Sequence, residues 1–181
     1  MVLAAEYKDE VTVPQGVTAS VSGMTVTIKG PKGELKRTFN APKATIAHAA
    51  NKITVSCKMP KKQNKADVGT IAGHIGNMIR GVTDGYEYHL KVFYSHFPMN
   101  VSVQGDKVMI KNFLGEKYPR EAEIIGKTKV AVKGQDVTVT GIDKEDVGQT
   151  ASNLVMRTKI RRRDPRVFHD GIFLADRGTR K

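Results

Sequence analysis

The sequence predicts an α+β fold of two tandem, duplicated domains, each an antiparallel sheet packed on a helix, with a basic C-terminal extension. Three observations predict it. A stretch VSGMTVTIKGPKGE from Val21 recurs as VQGDKVMIKNFLGE from Val103, with Val21, Gly23, Val26, Ile28, Lys29, Gly33 and Glu34 repeated 82 positions later. Unrelated stretches of ordinary composition would share about one such letter, so the chain carries an internal repeat. Strand-period alternation fills most of both halves, and each half holds one helix-period stretch. Nine of the thirty basic residues fall between Arg157 and Lys181, against three acidic ones.

Taken in order, VTVPQGV and TASVSGMTVTIKGPKGELKRTF alternate apolar and polar through residues 10–40. The breaks at Pro14-Gln15-Gly16, Gly23 and Gly30 to Gly33 are turn chemistry, so a meander of short strands is expected. KITVSCKM is a further strand. PKKQNKAD reads as a basic loop ahead of a helix capped by Asp67, whose Val68, Ala72, Ile75 and Ile79 share one face. Gly69, Gly73 and Gly76 share another face. They lower helix propensity, so a second backbone, the sheet or RNA, is expected to approach there.

The second half replays the order. HLKVFYSHF, NVSVQGDKVMIKNF and KYPREAEII read as strands, KVAVKGQDVTVTG as a tight hairpin and KEDVGQTASNLVMRT as the helix. Lys65, Asp67, Val68, Gly69 and Ala72 match Lys144, Asp146, Val147, Gly148 and Ala151 at an offset of 79, which loop insertions and deletions would produce. The junction falls near Val82 to Gly85, giving domains 1–82 and 83–181.

Thirty Lys and Arg against eighteen Asp and Glu leave a formal charge of +12, the balance expected of a chain that meets a polyanion. No run of eighteen apolar residues appears, and the N-terminal stretch has neither a basic flank nor an apolar core, so a cytosolic protein without a membrane span is expected. Cys57 is the one cysteine, which excludes an intrachain disulfide. Between Arg157 and Lys181 the charge is interleaved with Pro165, Phe168, Ile172, Phe173 and Leu174. A solvated tail would lack such anchors. The reading set against it is an arm pinned by Phe168 and Ile172 that presents Arg161, Arg162, Arg163 and Arg166 to phosphates, which a guanidinium grips with two donors. Lys58, Lys61, Lys62 and Lys65 form a second basic patch, balanced between an RNA contact and ordinary surface charge.

Several chemistries find no support. GPKG at residues 30–33 follows a strand and reads as a turn, not as the loop between helices of a K-homology module. GTIAGHIGNM lacks dinucleotide spacing, and no P-loop is present. The five histidines show no paired ligand spacing, so no metal or cofactor is expected. His169 and Asp170 could form an acid/base pair, but no nucleophile accompanies them. A catalytic site and a small-molecule substrate are therefore not expected.

The segments TVPQGVTASVSGMTVTIKGPKGELKRTF, NMIRGVTDGYEYHLKVFYSHFPMNV, IKNFLGEK and RRRDPRVFHDGIFLADRG resemble successive signatures of the large-subunit ribosomal protein family numbered six in bacteria and archaea and nine in the eukaryotic cytosol. The most specific is the terminal one, met by Arg163, Arg166, Phe168, Asp170, Gly171, Ile172, Leu174 and Arg177. Phe173 departs from the usual Tyr, Met156 stands where the pattern has Gln, and Tyr86 where the eukaryotic form often has Phe. The resemblance implies two duplicated α+β domains. It also implies a place near the sarcin-ricin loop and stalk base where translation factors dock, with ribosomal RNA gripped mainly by the second domain.

The expected function is that of a structural constituent of the large ribosomal subunit in the cytoplasm, with large-subunit ribosomal RNA and neighbouring ribosomal proteins as partners and translation factors nearby. Phosphate neutralisation and shape recognition supply the mechanism. The expected RNA contacts are Arg157, Lys159, Arg161, Arg162, Arg163, Arg166 and Arg177, with Lys111, Asn112, Lys117, Lys61 and Lys62 beside them. A free-standing RNA-binding regulator is the alternative, and a hydrolase using His169 and Asp170 a remote third.

Overall fold

The computed structural model describes residues 6–49, 51–58, 61–161, 163–164 and 166–178. It divides into two compact units, Met1–Gly85 and Tyr86–Lys181. The division falls after Gly85 and not between Val82 and Thr83, because the first helix runs on through Thr83.

The first unit holds strands β1 (Glu6–Thr12), β2 (Thr18–Ser22), β3 (Thr25–Gly30), β4 (Gly33–Thr38), β5 (Ala44–Ala49) and β6 (Lys52–Lys58), then helix α1 (Lys62–Thr83). All pairs are antiparallel, in two sheets of order β1-β6-β5 and β2-β3-β4. The expected meander is therefore only β2 to β4, and one sheet per domain becomes two. The turn at Pro14 to Gly16 is present, with the Pro14 carbonyl accepting the Val17 N–H at 3.3 Å, but it leads from one sheet to the other: β1 pairs with β6, and the Val13 N–H extends that pairing to the Asn51 carbonyl at 2.8 Å. Period-2 burial is plain in β3, where Val26 and Ile28 are buried, and in β6, where Ile53, Val55 and Cys57 are.

The second unit holds β7 (Tyr86–Phe93), β8 (Asn100–Gln104), β9 (Lys107–Lys111), β10 (Arg120–Glu123), β11 (Lys129–Lys133), β12 (Asp136–Gly141), helix α2 (Lys144–Arg157) and β13 (Gly171–Asp176). Its sheets run β10-β9-β8 and β11-β12-β7-β13. The topology repeats that of the first unit, with β8 to β10 in place of β2 to β4 and β11-β12-β7 in place of β5-β6-β1. The single addition is β13, which covers the outer edge of β7.

This explains the repeated letters. Val26 and Ile28 recur as Val108 and Ile110, and all four are fully buried. Gly23 and Gly105 turn the matching hairpins at φ of +61° and +59°, where a side chain would be strained. Both helices bury one apolar face: Val68, Ala72, Ile75 and Ile79 in α1, and Val147, Ala151 and Leu154 in α2.

Two expectations about α1 are corrected. Asp67 is not its cap, because the helix starts at Lys62 with Lys61 in the N-cap position; lysine, glutamine and alanine are helix formers, so the basic stretch joins the helix. A Cβ at Gly69, Gly73 or Gly76 would meet nothing within 4 Å. The sheet therefore does not account for those glycines. The close backbone approach in this unit is at Gly30, where a Cβ would lie 2.6 Å from a methyl of Val82.

Candidate nucleic-acid interface

The cationic segment begins where α2 ends. Thr158, 3% exposed, has its hydroxyl 3.2 Å from the carbonyl oxygens of Leu154 and Val155, and accepts the N–H of Ile172 at 3.0 Å. One hydroxyl thus ties the helix end to β13, whose Ile172 is buried in the core of this unit. Between them the chain is folded by Asp164, whose carboxylate accepts the Arg166 N–H at 2.9 Å and whose carbonyl accepts those of Val167 and Phe168 at 3.1 Å. The Arg163 guanidinium lies 4.9 Å above the Phe168 ring. Buried Asp170 accepts the Ser95 N–H through one carboxylate oxygen, which ties the two loops together.

Arg157, Lys159 and Arg161 line one cleft of about 490 Å³, walled by Pro119 and Met156. The other charges of that cleft are already engaged. Arg120 donates to both oxygens of Glu116, at 2.8 and 2.6 Å, and to the Arg157 carbonyl at 2.6 Å, with its guanidinium 4.3 Å over the Phe113 ring. The hydrogen bond from Arg120 holds the Glu116 carboxyl below the usual carboxylate range, and the charge of Arg163 adds to it. Glu121 is paired with Lys107 at 2.8 Å, and this hydrogen bond lowers its pKa. By contrast Arg157, Lys159, Arg161, Arg163, Arg166 and Arg177 are exposed and make no ion pair with a carboxylate among the described residues. Arg162 lies outside the described residues.

The remaining expected contacts divide. Lys111 ends β9 and Lys117 lies in the loop before β10, both exposed. Asn112 sits at φ +60° and donates its amide to the Pro98 carbonyl at 3.1 Å, so that group closes a loop within the protein. Lys61 and Lys62 belong to the first unit and stand in the N-cap position and first turn of α1, not in a loop. No acidic residue occupies that turn, so lysines face the positive end of the helix dipole, an arrangement an anion would relieve. The α2 N-terminus is the reverse, with Asp143 accepting the Glu145 N–H at 2.9 Å and Glu145 and Asp146 in the first turn. Burial raises the Asp146 carboxyl above its usual range, and Asp143 and Glu145 raise it further.

Arg120 was not expected from the sequence, and Met156 was noted only as a departure from the family pattern. Arg120 organises the cleft while its own charge is neutralised; its spacing of four from Glu116 was the available signal. Met156 is 56% exposed and borders both the cleft of Arg157 and a cavity with Leu174 and Arg177. The Gln that the resembled family pattern has at this position was the signal for its exposure.

The family described as Ribosomal protein L6 matches residues 13–85 and 97–171, one repeat in each unit. Among similar proteins, the large ribosomal subunit protein uL6 of Methanobrevibacter smithii is 51% identical over 174 residues, covering 96% of this chain and 98% of its own. The uL6 proteins of Methanocella arvoryzae and Aeropyrum pernix are 52% and 49% identical, covering 97% and 93% of this chain and 99% and 93% of their own.

Proposed function

Because the chain belongs to the ribosomal protein L6 family, we propose that its unpaired cations grip the ribosomal RNA of the large subunit. The protein is a structural, non-enzymatic constituent of that subunit, and its place is in the ribosome of the cytoplasm. Ribosomal RNA and neighbouring ribosomal proteins are its partners. The finer reading puts it near the sarcin-ricin loop and the stalk base, where translation factors dock. Its basic C-terminal segment, Arg157 through Arg177, supplies the main contacts, and Lys111, Lys117, Lys61 and Lys62 add weaker ones.

The observation that carries this reading is the contrast in pairing. Beside the cleft Arg120 and Lys107 each have a carboxylate within 2.8 Å, whereas the six described cations between Arg157 and Arg177, close together in sequence, have none. An array of exposed cations without carboxylate partners, carried on a backbone tied by Thr158, Asp164 and Asp170, suits the neutralisation of phosphates. Two bonded loops and a paired strand anchored by buried Ile172 also favour an ordered segment over a solvated tail.

Replacing Arg163 or Arg166 by Ala should weaken binding to large-subunit ribosomal RNA and lower the log–log salt slope by about one each. An unchanged slope would remove that residue from the interface. Ultraviolet crosslinking in cells should concentrate on large-subunit ribosomal RNA and on residues 157–177. Crosslinks spread over messenger RNA would favour a free-standing regulator.

A further inference from the structure

We infer that the outer face of the β11-β12-β7-β13 sheet is a stacking platform for unpaired RNA bases, a site distinct in chemistry from the phosphate grip. On β7, Leu90 and Val92 face the core at 1% and 2% exposure, so Lys91 and Phe93 stand on the opposite face. On β13, Ile172 is buried and Phe173 is outward. The register sets Phe173 opposite Lys91 and Phe93 opposite Gly171. The two phenylalanines therefore lie diagonally on adjacent strands, with ring centroids 5.9 Å apart and planes inclined by 58°.

They are half exposed, Phe93 at 50% and Phe173 at 47%. Gly171, opposite Phe93, presents no side chain, and a Cβ there would approach the Phe173 ring to 3.3 Å. The cross-strand row containing Phe173 runs on through Lys91, Asp136 and Lys133. Exposed rings flanked by lysines on an antiparallel four-stranded sheet suit a base: the ring faces stack on the π-system and the ammonium groups meet the attached phosphate. A protein partner would find the same rings, but the flanking lysines and the unpaired arginines of the same unit favour a polyanion. Asp170 holds the loop after Phe93 against the segment that leads into β13 through its bond to Ser95, so the platform is preformed.

The inference rests on the ribosomal RNA reading, and its test separates the two. The full-length protein is titrated with a hexamer of adenosines and with an abasic hexamer carrying the same number of phosphates. Stacking predicts tighter binding of the adenosine hexamer, by roughly 5- to 150-fold per stacked base. Phe93→Leu and Phe173→Leu, conservative changes at half-exposed positions, should each erase most of that preference and leave the salt slope unaltered, because no charge is lost. Equal affinity of the unaltered protein for both hexamers overturns the platform and leaves the phosphate grip standing. Absence of any salt dependence counts against the grip itself. In assembled ribosomes, Phe93→p-benzoylphenylalanine should photocrosslink to ribosomal RNA; a crosslink confined to a ribosomal protein overturns the inference and assigns the face to that neighbour.

Discussion

Glu116 and Arg120 show how a single ion pair shapes the interface without belonging to it. Their bonds occupy a guanidinium that would otherwise add to the cleft, and they lend a donor to the carbonyl at the end of α2. The Glu116 carboxyl is lowered in the folded protein, so it contributes stability above its unfolded value of 4.5 and loses it as pH falls through the lower folded value. Glu116→Gln should therefore destabilise the protein at pH 7, by no more than about 1 kcal/mol since the side chain is 42% exposed. The difference from the parent in urea midpoint should shrink toward pH 3. The spacing of four was visible in the sequence, yet it normally signals a helix, and none is present. The two residues meet instead across the bend at Lys117 and Tyr118 that leads into β10. A charge spacing does not encode such a bend.

At the scale of the element, α1 and α2 occupy matching places and are capped in opposite ways. The α2 start follows the rules for a stable helix, whereas α1 carries lysines where acids belong and exposes Gly69 and Gly73 on its solvent side. Both departures cost stability in the isolated protein. Gly73→Ala should raise unfolding free energy by roughly 0.5–1 kcal/mol, because a Cβ there meets nothing. Lys61→Ser, at a φ and ψ of −76° and 160° already suited to a cap, should add about 1 kcal/mol. Denaturant titration of each variant checks both. If either stabilised variant also enters ribosomes less well in competition with the parent, the departure serves a partner. The apolar spacing of α1 was legible because it faces the core. Its start was not, since Asp67 is a good cap residue that the helix runs past. β5 was missed because ATIAHA is rich in alanine, which has little strand preference; its pairing with β6, with Ile46 buried, decides its conformation.

For the molecule as a whole, each unit carries its own buried cluster: Val26, Ile28, Ile53, Val55, Val68 and Ile75 in the first, and Val108, Ile110, Val137, Val139, Val147 and Leu154 in the second. A fragment of residues 86–181 should therefore unfold cooperatively by itself, and calorimetry tests this. It should also retain most of the salt dependence of RNA binding, short of the share due to Lys61 and Lys62. Duplication was legible because the recurring letters include the buried Val26 and Ile28 with Val108 and Ile110, and the turn glycines Gly23 and Gly105. The split of each half into two sheets was not, because it depends on which distant strand β1 and β7 choose. Alternation names a strand but not its neighbour.

The single strand by which the second unit exceeds the first also sets an order of events. Hairpins such as β8 with β9 close over a few residues, whereas docking β13 on β7 closes the loop from Phe93 to Gly171. Its entropy must be spent before any ladder bond rewards it, so this pairing belongs late in folding and early in unfolding. A form of the second unit with α2 packed and β13 undocked would separate Phe173 from Phe93 and Arg177 from α2. Nucleic acid that engages both sides of that seam would bind only the finished fold and hold it shut, making the RNA the last fastening of the protein.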